Sequence, residues 1–252
     1  MPFEVIVVGV GDTFTARHHT TALLLCCDGF TLAVDCPDRY RGALRAAAER
    51  AGRPLPIESI DHVLITHLHG DHMNGLEGVA WYKHFAEGKR VRLVASPEVR
   101  ATIWDARLAG SMTQLWNGSE YRTFGFDDYF EHVPLSWDGV TEVGPFRIRA
   151  YRTQHHIPTS AILVEAGGAR FGFSADTAFD PRLIEFLSAA DLIVHETNLG
   201  PAHTPYEALA ALPEEIRRRM RLIHYPDEMV GLPVAIPLLA EGEVLRVRRS
   251  GA

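Results

Sequence analysis

Thr66 to Gly75 reads THLHGDHMNG. His67, His69, Asp71 and His72 within it are all side-chain types that bind metals, histidine being the commonest protein ligand and aspartate the usual oxygen donor beside it. The stretch directly follows HVLI (62–65), a short apolar run that reads as a buried strand. Residues two apart share a face in an extended chain, so His67 and His69 leave that strand aimed together. Asp71 and His72 then project elsewhere, which suits a second ion close to the first. Gly70 is read as the bend between the two pairs. A surface loop that merely happened to be rich in histidine would not be expected to follow an apolar strand. Nor would it be matched by further histidine and aspartate at later strand ends.

Those later positions are visible along the chain. Asp176 closes the apolar run ARFGFSAD (169–176), where a carboxylate needs a partner, and His224 closes RLI in the same way. His155 and His156 are adjacent in TQHHIPTS. In an extended segment, neighbouring side chains point to opposite faces, so one of the pair can reach a metal and the other cannot. FEVIVVG (3–9), TALLLCCD (21–28), FTLAVDC (30–36), VRLVA (91–95), FRIRAY (146–151), SAILVEA (160–166) and DLIVHE (191–196) read as strands, the second and third forming a hairpin. Residues 39–51 carry helical spacing and stop at Gly52; 75–87 and 204–220 also read as helical, Pro97 starts another helix, and EVLRVRR (243–249) reads as an edge strand. Two packed sheets with helices outside them follow from this order of elements.

The 252 residues, with 46% hydrophobic and 23% charged side chains, have the composition of a globular chain. No repeat, low-complexity tract or linker divides them, so 1–252 is read as one domain with an aromatic-rich insertion or lid at about 110–140. A net charge of −7 with no basic block argues against nucleic acid as a partner and leaves room for a small anionic substrate held by metal. The opening residues lack the basic start of a signal peptide, and no apolar run is long enough for a membrane span. Cys26, Cys27 and Cys36 form no CxxC pair, read as small buried hydrophobes, and point to a reducing, cytoplasmic location.

ITHLHGDHMNG (65–75), with GVGDTFTARHHTTALLL and LAVDC before it and TQHHIPTSAILVE, FSADT, VHETN and LIHYPD after it, resembles the metallo-β-lactamase-fold hydrolases from about residue 3 to about 226. The motif set is most similar to the ribonuclease Z and cyclic-phosphate phosphodiesterase branch. Pro37 stands where a glycine is usual after the DC of LAVDC. The resemblance implies an α/β fold, an αββα sandwich of two mixed sheets, with a site for two ions at one edge. It implies that His67, His69 and one of the 155–156 pair bind the first ion, with His155 favoured because His-x-Ile-Pro is the family's pattern. Asp71, His72 and His224 bind the second, and Asp176 bridges both. Zinc is the first expectation for the two divalent ions, with manganese or iron as alternatives. Glu196 in VHETN and His203 in AHTPYEAL resemble motifs of the ribonuclease Z branch, in which the histidine lies near the scissile phosphate and the acid supports it.

The chemistry implied is hydrolysis by a metal-bridging hydroxide, with Asp71 orienting it or taking its proton and His203 aiding the leaving group. His69 occupies the position where oxygen-reducing di-iron relatives carry glutamate, which favours hydrolysis over redox chemistry. A short strand–turn–strand span between His155 and Asp176 leaves no place for the arm with which ribonuclease Z grips transfer RNA. The cysteine cluster of the phosphonate enzyme is missing. A small phosphodiester is therefore the expected substrate, with a lactone, carboxyl ester or β-lactam-type amide as the alternative on the same site. A metal-bound ligand-sensing protein is the alternative of another class. Residues 115–137, LWNGSEYRTFGFDDYFEHVPLSW, pack as a satellite core or form a pocket wall for an apolar substrate. His195, His84 and His132 read as packing histidines, and His18 and His19 either line the site or face solvent. The tail after Pro233 reads as a closing strand or a dimer contact, a homo-oligomer being common among relatives.

Overall fold

The computed structural model describes residues 2–249. Fifteen strands are seen among them: β1 (Phe3–Gly9), β2 (Ala22–Cys27), β3 (Phe30–Val34), β4 (His62–Leu64), β5 (Val91–Ala95), β6 (Gln114–Trp116), β7 (Tyr121–Thr123), β8 (Phe130–Pro134), β9 (Thr141–Val143), β10 (Phe146–Arg152), β11 (Ser160–Ala166), β12 (Ala169–Phe173), β13 (Leu192–Glu196), β14 (Met220–Ile223) and β15 (Val244–Val247). One sheet has the order β15-β1-β2-β3-β4-β5-β8, the other β14-β13-β12-β11-β10-β9, and β6 and β7 form a separate hairpin.

The apolar run at residues 5–8 of β1 is explained by burial on both faces. Phe3, Val5 and Val7 turn into the core between the sheets, where they meet Leu23, Phe146 and Phe171. Ile6 and Val8 turn outward onto the helix Tyr40–Ala51 and its neighbours. On the opposite sheet Ile162 and Val164 of β11 face inward, while Ala161 and Leu163 meet the helix Pro181–Leu187. Each buried aliphatic side chain contributes roughly 1.5–3 kcal/mol. A one-residue slip would swap every one of them between layers, so the register is strongly held. The layers run helix, sheet, sheet, helix, as expected.

β3, β4, β5 and β8 are mutually parallel, and so are β12, β13 and β14. Their carboxyl ends therefore gather at common edges, where the motif loops emerge. β15 pairs antiparallel with β1 at the sheet edge, as the tail pattern indicates. No helix among the described residues is long and apolar enough to cross a membrane. Cys26, Cys27 and Cys36 form no disulfide and are half-buried or buried.

Two local expectations differ from the structure. The helix expected over 204–220 is two short ones, Tyr206–Ala210 and Glu214–Arg217. Pro213 separates them because it has no N–H to donate and its ring would clash with the carbonyl four residues earlier. Gly70 is not a sharp left-handed bend but the first residue of the helix Gly70–Met73. Gly75 in the same loop has a steric requirement: a Cβ there would lie 2.0 Å from the Pro37 carbonyl oxygen, so the metal loop can dock on residues 36–37 only without a side chain.

Candidate metal centre

Four strand ends deliver the site. His67, His69, Asp71 and His72 follow β4, His155 follows β10, Asp176 follows β12, and His224 follows β14. His67 Nε2 and His155 Nε2 each lie 3.1 Å from His69 Nδ1. Nitrogens on one tetrahedral ion, with metal–nitrogen bonds of about 2.0–2.1 Å, sit about 3.3 Å apart, so this spacing suits three ligands of one ion. Asp176 Oδ2 is 3.7 Å from both His67 Nε2 and His155 Nε2 and 3.4 Å from His224 Nε2, while its Oδ1 is 3.4 Å from His72 Nε2. Asp71 Oδ2 is 3.5 Å from His72 Nε2. The expected ligands thus fall into one group of His67, His69 and His155 and a second of Asp71, His72 and His224, with Asp176 between them.

The donor set fits divalent ions on an internal criterion. His72 Nε2 and Asp176 Oδ1 are buried and make no hydrogen bond, a costly state for polar atoms unless something binds them. The other ring nitrogens are occupied. Nδ1 of His67 meets Thr66 Oγ1 at 2.9 Å, Nδ1 of His72 meets Asp35 Oδ2 at 2.8 Å, Nδ1 of His155 donates to the Ala202 carbonyl at 3.0 Å, and Nδ1 of His224 meets Thr21 Oγ1 at 3.0 Å. Such outer contacts fix ring orientation and leave Nε2 for the metal.

Burial holds His67 well below the usual imidazole range, lowers His69 and His224, and brings His155 to about 4, which keeps these rings neutral and able to ligate. Burial opposes charge on His72 as well, but Asp176 and Asp35 outweigh it and raise that ring well above its ordinary value. Burial would likewise raise Asp176, yet His224 and His72 draw it far below the carboxylate range. The backbone is strained here too. Asp35, Ala175 and His224 all have positive φ, at 62°, 48° and 56°, in a region that non-glycine residues rarely occupy outside functional sites.

Asp35, Thr66, Thr21 and Ala202 were not singled out by the sequence motifs. Asp35 carried a usable signal, since it ends the apolar strand FTLAV just as Asp176 ends its own strand. It is fully buried and accepts hydrogen bonds from the Thr66 backbone N–H and hydroxyl as well as facing His72. The two threonines and the Ala202 carbonyl had no sequence signal, because only folding brings them to the rings.

His203 stacks on His224 with ring centroids 5.6 Å apart and sets its Nδ1 3.0 Å from Glu196 Oε1. Glu196 is fully buried beneath it and also accepts from Thr177 N–H at 2.9 Å. Burial pushes Glu196 up to about 7; burial lowers His203, but Glu196 outweighs that and raises it. His203, Asp71, Asp176 and His224 line a cavity of about 540 Å³. His156 lines it without joining either ligand group.

The remaining histidines lie elsewhere. His195 is buried and bonds its neighbour's carbonyl, His132 bonds the Ala95 carbonyl, and His84 packs among Phe85, Phe124 and Tyr129. His18 packs edge-on to Tyr225, and the His19 backbone bonds Glu241. Within 115–137, Phe126, Tyr129 and Phe130 pack under the outer helices, while Trp116 and Tyr121 are exposed on the β6–β7 hairpin. No residue of 115–137 lines the cavity beside the ligands.

An αββα sandwich with two histidine–aspartate groups at its strand ends defines the metallo-β-lactamase-fold hydrolases. Superposition agrees: the metallo-β-lactamase fold protein YhfI from Bacillus subtilis matches with a TM-score of 0.74 and 18% identity over 97% of this chain and 99% of that one. The chain belongs to the Anti-Pycsar protein Apyc1 family, which it matches over residues 3–234. It is 30% identical over 239 residues to the Anti-Pycsar protein Apyc1 of Bacillus phage BSP38, covering 90% of each chain. It is 24% identical to the cGMP-dependent 3',5'-cGMP phosphodiesterase A of Dictyostelium discoideum over 95% of this chain and 28% of that longer protein.

Proposed function

We propose that this chain, a metal-dependent phosphodiesterase, hydrolyses cyclic mononucleotides, opening the cyclic phosphodiester to a phosphomonoester. The observation that carries the reading is the pair of ligand groups meeting at Asp176 on the floor of an open cavity. The similarity to a cGMP phosphodiesterase supports the substrate class. The net charge of −7 and the absence of a gripping arm support a small substrate over a nucleic acid. The aromatic segment that would have favoured an aryl ester or lactone lies away from the cavity, so that alternative loses its motive.

His67, His69 and His155 would hold one divalent ion, Asp71, His72 and His224 the other, with Asp176 between them. Zinc is the metal proposed, the mixed nitrogen and carboxylate set being suited to it. The chemistry two such ions supply is Lewis acidity toward the phosphoryl group and acidification of water at the site. The remaining work falls to the chain. Asp71, at the cavity wall, orients the attacking water and takes its proton. His203 presents its ring to the same cavity and delivers its Nε2 proton to the departing oxygen, while Glu196 acts through it, accepting from Nδ1–H and so fixing the ring and supporting its charge. Three cysteines outside any disulfide support a cytoplasmic location.

The test is turnover of 3',5'-cGMP by protein loaded with zinc or manganese, beside bis-p-nitrophenyl phosphate, a lactone and nitrocefin. Hydrolysis of the cyclic nucleotide, abolished by exhaustive chelation, is expected. Turnover of lactone or nitrocefin with none of any phosphodiester would overturn the reading.

A further inference from the structure

Among the described residues, the two most exposed large hydrophobic side chains are Phe14, 89% exposed, and Leu199, 78% exposed. Both line the cavity that holds the ligand groups. Their loops are far apart in sequence but tied together. Asp12 Oδ1 accepts the Phe14 N–H at 2.9 Å and Asp12 Oδ2 accepts from Asn198 Nδ2 at 3.1 Å, while Asn198 Oδ1 accepts the Leu199 N–H at 2.7 Å. Asp227 further pins the first loop, accepting from the Thr15 hydroxyl at 2.6 Å and the Ala16 N–H at 2.9 Å. One hydrogen-bonded chain therefore ties the backbone of both residues at the rim, although neither side chain is packed. Exposed apolar groups scattered singly need no explanation, but two held together over a polar floor do.

Beyond Leu199 the rim opens into a second cavity of about 490 Å³, shared through Asn198, Leu199, Pro226 and Glu228 and walled by Tyr206, Met229 and Leu232. At the junction both ends of the Asn198 amide and both Asp12 oxygens already have partners, while Glu228 adds a carboxylate to the lining. What this rim offers a ligand is flat apolar contact beside a floor built for an anion.

We propose that Phe14 and Leu199 form a clamp for the nucleobase of the substrate, so that they select a cyclic phosphate bearing a base over the bare sugar ring. The proposal rests on the cyclic-nucleotide reading above. Phosphate enters over Asp71, Asp176 and His224, and the base lies between Phe14 and Leu199 with its far edge toward Tyr206. Stacking on an aromatic side chain accepts any base, because every base has a π-face.

The experiment compares kcat/KM of the metal-loaded protein for 3',5'-cGMP and for 1-O-methyl ribose 3',5'-cyclic phosphate, which lacks the base. The wild-type protein should prefer the nucleotide. Phe14→Ala and Leu199→Ala should each lower that preference about tenfold, through KM for the nucleotide, and Phe14→Trp should keep it. A preference unchanged in Phe14→Ala, or a parallel loss on both substrates, would overturn the clamp. Equal wild-type turnover of both substrates would overturn the clamp and leave the phosphodiesterase reading standing. Turnover of neither, with an intact fold, would sink that reading and the clamp with it.

Discussion

His72 Nδ1 lies 2.8 Å from Asp35 Oδ2, and solvent reaches neither side chain. A carboxylate behind a ligand histidine fixes its tautomer, strengthens it as a donor and stops the ring from turning. Asp35 reaches this position only by adopting a φ of 62° and by taking two further hydrogen bonds from Thr66. Asp35→Asn keeps the shape and removes the charge. It should weaken metal binding about 10–100-fold with the fold retained, read by competitive metal titration alongside circular dichroism. Unchanged affinity would show that His72 does not need this partner.

His155 and His156 should separate cleanly. His155 Nε2 sits 3.1 Å from His69 Nδ1, whereas His156 stands at the cavity wall outside both groups. Metal content by mass spectrometry should fall in His155→Ala and hold in His156→Ala. The reverse pattern would mean that the ligand groups are misassigned.

The Glu196–His203 pair makes a prediction about rate and pH. His203→Ala should lower kcat by about 10²–10⁴-fold with metal content unchanged, the usual span for a lost general acid. Burial lowers His203, but Glu196 overrides this and raises it above the ordinary imidazole value. In Glu196→Gln that support is gone, so the ring should lose its proton at a lower pH. The alkaline limb of the kcat profile should then move toward acid. A profile that keeps its position while kcat falls would point to a merely structural glutamate.

Away from the site, burial would raise Glu98, but hydrogen bonds from Arg152 and Trp137 Nε1 outweigh it and hold the carboxyl at about 2 against an ordinary 4.5. The unfolded chain binds this proton more tightly, so the contact stabilises above about pH 4.5 and is lost as pH falls toward 2. Glu98→Gln should flatten that part of the acid limb of stability and cost under about 1 kcal/mol at neutral pH, because the pair is partly exposed. Denaturant melts at pH 3 and pH 7 measure it. A loss equal at both values would refute the assignment.

Gly75→Ala places a Cβ 2.0 Å from a backbone oxygen that cannot swing aside. Destabilisation of about 1–3 kcal/mol is expected, together with weaker metal binding, since residues 36–37 and the loop carrying His72 must part. A thermal midpoint equal to wild type would mean that the two segments dock less closely than this.

The residue types and their spacing were enough to reveal the sandwich and the kinds of ligand. The apolar runs of β1 and β11 follow from burial on two faces, and HxHxDH after an apolar strand has little use other than metal binding. Those are local patterns, and local patterns are written in sequence. The break in the helix expected over 204–220 is local too, since Pro213 stands between Tyr206–Ala210 and Glu214–Arg217. Folding alone could decide which atoms meet. His69 and His155 are 86 positions apart, Asp35 and His72 37, and Thr21 and His224 203. No periodicity reports that Thr21 will hold a ring or that Phe14 and Leu199 will share one rim. Which ring nitrogens find partners, the placing of His155 rather than His156 beside His67 and His69, and the apolar edge of an otherwise polar cavity all depend on strand ends brought together in space. The energies that fix them are contacts between residues that the chain itself keeps far apart.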